Sequence, residues 1–74
     1  MDKVKIGFWA GEVWQLLSDN CRWSYSELKM KSGLSDAELG AALGWLAKEN
    51  KIVFEGDDEE QFYVFLYSSF NFFG

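Results

Sequence analysis

Two short motifs of one kind constrain this chain more than any other feature. Ser24-Tyr25-Ser26-Glu27 and Ser35-Asp36-Ala37-Glu38 each place a hydroxyl three residues before a carboxylate. In such a capping box the Ser oxygen accepts from a free amide of the first helical turn, and the Glu reaches back to the Ser amide. Each motif therefore opens a helix. Ser32-Gly33 ends the first of them within about two turns, since Gly takes the left-handed conformation that closes helices. The second helix is expected over residues 36–50, with Leu39, Ala42, Leu43 and Leu46 as its inward stripe. A helix, a tight turn containing Gly33 and a second helix make a helix-turn-helix.

The flanking segments complete the pattern. Residues 8–18 read as a helix burying Ala10, Val13, Trp14 and Leu17, ended by Asp19-Asn20. Lys51 to Glu55 and Phe62 to Tyr67 are rich in β-formers and enclose the turn Gly56-Asp57-Asp58-Glu59-Glu60. Strand, turn, strand is a hairpin, and a hairpin behind a helix-turn-helix is a wing. Cys21-Arg22-Trp23 is expected to add a short third strand, and Lys3 to Ile6, alternating charge with apolar residues, a strand at the sheet edge. The expected fold is α+β: a winged helix-turn-helix of three helices followed by a β-hairpin wing. It forms one domain over residues 1–74, with an aromatic tail at 68–74.

The 74 residues include no His, no Pro and one Cys, so neither an internal disulfide nor a Cys/His metal cluster can staple the fold. General acid–base and nucleophilic catalysis draw most often on His, or on Ser or Cys beside a base. Cys21 has only scattered carboxylates for company and reads as a packing residue. The acids at 57–60 lack the spaced ligands of a calcium loop. No catalytic residue, metal site or cofactor is expected, and the chain is not read as an enzyme. No run approaches the roughly 20 apolar residues of a membrane span, and the N-terminus lacks a secretory h-region. A cytoplasmic location is expected.

Further residues resemble a known family. Ile6-Gly7, Ala10-Gly11, Val13-Trp14, Leu17, Leu28, Gly33-Leu34-Ser35-Asp36 and above all the run from Ala42 to Ile52 look like small stand-alone winged helix-turn-helix domains. These come from bacteria and archaea and are of uncharacterised function. The resemblance covers roughly residues 6–67. It implies the fold and a homodimer, and carries over no catalytic or ligand residue. The acidic wing tip and Phe-rich tail are particular to this chain.

Charge and surface chemistry weigh on function. The net charge is −5 and the pI about 4.5, whereas nucleic-acid binders usually present a basic footprint. A reading helix wants Arg, Lys, Asn or Gln outward, but the outward positions here are Asp36, Ala37, Gly40, Ala41, Gly44 and Lys48. Gly40 and Gly44 admit three explanations: tight packing within the protomer, contact with a second chain, or approach to a DNA backbone. The wing's Glu55 and four following acids form a soluble turn or a dock for a basic partner. In the last strand Tyr63, Phe65 and Tyr67 share the face opposite Phe62, Val64 and Leu66, so both faces are apolar or aromatic. Phe70, Phe72 and Phe73 follow. Either the tail folds back over its own sheet, or these six aromatics form the interface of a symmetric dimer, the favoured reading. The first functional reading is a homodimeric interaction module, regulatory or scaffolding, with an unidentified protein partner. The alternative is a DNA-binding regulator using Lys29, Lys31, Lys48 and Lys51 as phosphate contacts.

Overall fold

A computed structural model of the chain describes residues 2–19, 22–56 and 61–67. Its elements run α1 (Lys3–Leu17), β1 (Trp23–Ser24), α2 (Tyr25–Ser32), α3 (Asp36–Lys48), β2 (Ile52–Glu55) and β3 (Tyr63–Leu66). Three helices and a three-stranded antiparallel sheet give the α+β winged architecture that the capping boxes and hairpin point to.

Helix α1 starts earlier than the sequence suggests. Lys3 to Ile6 is helical and joins no sheet edge. Asp2 is the reason: its Oδ1 accepts from the Val4 amide at 2.8 Å and caps the first turn. Ala10, Val13 and Leu17 are buried as expected, but Trp14 is 43% exposed, so the buried stripe lies to one side of it. The helix ends on Ser18; Asn20 and Cys21 lie outside the described residues.

Both capping boxes are complete. The Glu27 amide donates to Ser24 Oγ at 3.1 Å and the Ser24 amide to Glu27 Oε1 at 3.0 Å. The corresponding distances between Glu38 and Ser35 are 3.2 and 2.9 Å. Gly33 closes α2 with φ +71°. Helix α3 stops at Lys48 rather than residue 50, because Asn50 turns left-handed at φ 58°. The Asn50 amide then donates to the Ala47 carbonyl and the Lys51 amide to the Leu46 carbonyl, the paired closure of a Schellman end.

Helix α1 packs mainly on α3, and both lie against the inner face of the sheet. The core is Ala10, Val13, Leu17, Leu28, Leu34, Leu39, Ala42, Leu43, Leu46, Ile52, Val64 and Leu66. Among the described residues it is wholly aliphatic. Trp9, Trp23, Tyr25 and Phe62 border it, each only partly buried.

The strand order is β1-β3-β2, with β3 central. Ile52 pairs with Leu66, Val53 with Phe65, Phe54 with Val64 and Glu55 with Tyr63. The Tyr67 amide donates to the Lys51 carbonyl at 2.9 Å, continuing the same register by one pair. Antiparallel ladders alternate bonded and non-bonded pairs. Lys51, Val53 and Glu55 therefore face β3 with their backbone groups, while Ile52 and Phe54 direct theirs outward along the free side of β2.

Candidate interaction surface

The exposed face of α3 is where a winged helix would read a base sequence. Asp36, Ala37, Gly40, Gly44 and Lys48 are exposed and Ala41 is half-buried. Asp36 is already engaged. It accepts from the Tyr25 hydroxyl at 2.7 Å and from Lys29 Nζ at 3.0 Å. The Tyr25 hydroxyl and Lys29 ammonium hold its carboxyl below the usual range. Burial, then the hydrogen bond to Asp36, pushes the Tyr25 phenol up to about 12.

This pair has a pH signature. The neutral phenol is favoured by the fold, so its contribution is complete below pH 10 and is lost as the pH rises through about 12. The lowered Asp36 carboxyl contributes above its ordinary value of 3.8, and that contribution fades as the pH falls through its folded value. Ultraviolet difference titration of the protein against Tyr25→Phe is expected to give a phenol midpoint near 12. A midpoint near 10 contradicts the contact.

The four lysines considered for phosphate do not form one patch. Lys29 is paired with Asp36, and Lys31, two residues on, leaves the helix on a different side. Lys48 is at the far end of α3 from Asp36, about 18 Å along the axis at roughly 1.5 Å per residue. Lys51 Nζ lies 5.9 Å from the centre of the Trp14 ring.

Among the described residues nothing packs closely on Gly40 or Gly44, contrary to one of the three expectations. A Cβ on either would meet nothing within 4 Å. Gly40→Ala and Gly44→Ala are each expected to raise stability by about 0.5–1 kcal/mol, the ordinary gain at an open mid-helix position. Thermal unfolding checks this, and a lowered midpoint would mean that something approaches that backbone closely.

The outer face of the sheet is chemically distinctive. Tyr63 and Tyr67 are 42% and 44% exposed and Phe65 is half-buried between them. The register sets Val53 and Glu55 beside them on β2 and Ser24 on β1. Arg22 lies over the Tyr63 ring, 4.7 Å from its centre, and pairs with Glu55 from across β3. Sequence reasoning missed this clasp. Arg22 and Glu55 are 33 positions apart, and no local pattern links them before the strand order is known. Phe70, Phe72 and Phe73, expected on the same surface, lie outside the described residues, as do the wing-tip acids at 57–60.

Comparison with known proteins places this geometry. A family model described as winged helix-turn-helix domain (DUF2582) matches residues 1–66. The chain belongs to this family. Among solved structures, the winged helix-turn-helix domain is similar to the solution NMR structure of protein BT2368 from Bacteroides thetaiotaomicron. The two are 38% identical, with a TM-score of 0.80, over 97% of this chain and 87% of that one. No curated protein matches the chain. The fold suggests a non-catalytic domain. No helix among the described residues is long and apolar enough to cross a membrane.

Proposed function

We propose that this domain is a homodimeric interaction module of regulatory or scaffolding type, cytoplasmic, without catalytic activity or cofactor. The observation that carries the reading is the aromatic row Tyr63, Phe65 and Tyr67 on the outer sheet face. A sheet face turned to water ordinarily carries polar residues at alternate positions. Three consecutive outward aromatics are an association surface, and Phe70, Phe72 and Phe73 follow in the same chain. A second copy is the first partner, and an unidentified protein the second.

The exposed face of α3 supports the same reading by offering little for nucleic acid. Its small residues carry no base-reading groups, and Asp36 and Glu38 favour the helix N-terminus while opposing phosphate. Light scattering on a sizing column at tens of micromolar is expected to give a dimer mass, and a monomer overturns the proposal. Random duplex DNA at roughly 20 mM salt, where phosphate contacts are strongest, is expected not to bind. Salt-sensitive binding there would replace this reading with the DNA-binding one, in which Lys29, Lys31, Lys48 and Lys51 are the contacts.

A further inference from the structure

Strand β2 is an edge with a particular self-complementarity. The backbone N–H and C=O of Ile52 and Phe54 point away from β3, as the ladder alternation requires. Phe54 is 47% exposed at this edge, and its ring meets Phe62 edge-on at 5.6 Å. The residues in order are Lys51-Ile52-Val53-Phe54-Glu55. Laid antiparallel on itself about Val53, this segment sets Lys51 opposite Glu55, Ile52 opposite Phe54 and Val53 opposite its own copy.

Hydrogen-bond parity independently selects the same register. Outward groups must meet outward groups, so Ile52 and Phe54 must pair with each other or with their own copies. Pairing Ile52 with its own copy brings Glu55 opposite Glu49, and pairing Phe54 with its own copy sets Val53 opposite Glu55. Only the register centred on Val53 joins apolar to apolar and cation to anion at every position from 51 to 55.

We infer that two copies of this domain join along the β2 edges, antiparallel and centred on Val53, forming one six-stranded sheet. The inference rests on the homodimer proposed above but sets its contact at the β2 edge, beside the aromatic face that supports that reading and not across it. Four backbone hydrogen bonds form between Ile52 and Phe54 of one copy and the partner's Phe54 and Ile52. Lys51 meets the partner's Glu55 twice by symmetry. Glu55 keeps Arg22 as a second ligand, and among the described residues Lys51 gives up a long contact to Trp14, near the 6 Å limit for a cation over a ring. Because the two-fold axis stands perpendicular to the sheet, Tyr63, Phe65 and Tyr67 of both copies lie on one continuous face. The charges at either end of β2 have two effects: they favour this register, and they oppose indiscriminate edge pairing.

Charge exchange tests the register. Lys51→Glu and Glu55→Lys each set two like-charged pairs across the axis, and each is expected to weaken the dimer by roughly tenfold. Mixing the two variants pairs Glu with Lys at both sites, so sedimentation should show a heterodimer of near wild-type affinity. The double exchange Lys51→Glu/Glu55→Lys should restore the homodimer. A change that merely perturbs folding is not repaired by mixing. Amide exchange gives a second readout: the Ile52 and Phe54 amides should be slow in the dimer and speed up on dilution. A wild-type monomer at tens of micromolar removes the homodimer and this inference together. A wild-type dimer indifferent to the charge variants, or with fast Ile52 and Phe54 amides, removes the edge contact alone and leaves the homodimer standing.

Discussion

Leu39→Ala is expected to remove a large share of the free energy that keeps this domain folded. Leu39 has no exposed surface, and it stands one residue past the Ser35–Glu38 capping box, where α3 turns into the core. Truncating a buried Leu costs about 2–5 kcal/mol through lost transfer energy and the cavity left behind. A domain of this length holds roughly 4–11 kcal/mol in total, from about 0.05–0.15 kcal/mol per residue. The loss therefore consumes a large share of the whole. Its 74 residues include one Cys and no His, so no internal disulfide or Cys/His metal site can offset it. Urea unfolding at one fixed protein concentration measures the change, since the proposed dimerisation would make stability concentration-dependent. A shift below about 1 kcal/mol would show that neighbouring side chains collapse into the space.

Gly56→Ala is expected to be the most damaging single change outside the core. Gly56 has φ +134°, a conformation that residues with a Cβ rarely adopt. An added Cβ would also stand 3.1 Å from the Gln61 carbonyl oxygen and 3.2 Å from the Phe62 Cα. Both are backbone atoms of the returning strand, so relief requires the hairpin to part. A loss of about 1–3 kcal/mol follows from the conformation alone, and the close contacts add to it. Gly33→Ala supplies the comparison, because Gly33 is left-handed at φ +71° with nothing within 4 Å of the added atom. Its loss should be smaller. Equal losses, measured by thermal unfolding, would mean that the contacts at Gly56 are readily relieved.

How much of this was legible in the sequence depended on the range of the interaction involved. The capping boxes were legible because a cap is settled within four residues, and both formed. The inward stripe of α3 and the two faces of β3 were legible because periodicity records which side is buried. Lys3 to Ile6 misled, since a two-residue alternation over four positions is also compatible with the first turn of a helix, and Asp2 decided between them. Trp14 misled because helical spacing does not say how wide the buried stripe is. Asn50, read from the sequence as the last residue of α3, is instead the left-handed residue that follows its end. For Gly40 and Gly44 the sequence could name the anomaly but not its surroundings. The candidate site divides the same way: Tyr63, Phe65 and Tyr67 follow from alternation, whereas Arg22 over Tyr63 depends on β1 pairing with β3 across a long stretch of chain.

The division between an aliphatic core and an aromatic border has a spectroscopic consequence. Trp9 and Trp23 are partly buried, and Trp14 and Trp45 are 43% and 39% exposed. None of the four indoles sits in the sealed interior with Leu17, Leu28 and Leu39. Intrinsic fluorescence of this protein therefore reports on its rim. A blue shift on raising the concentration or adding a partner marks water leaving the surface, and core melting is better followed through the methyl resonances of its leucines.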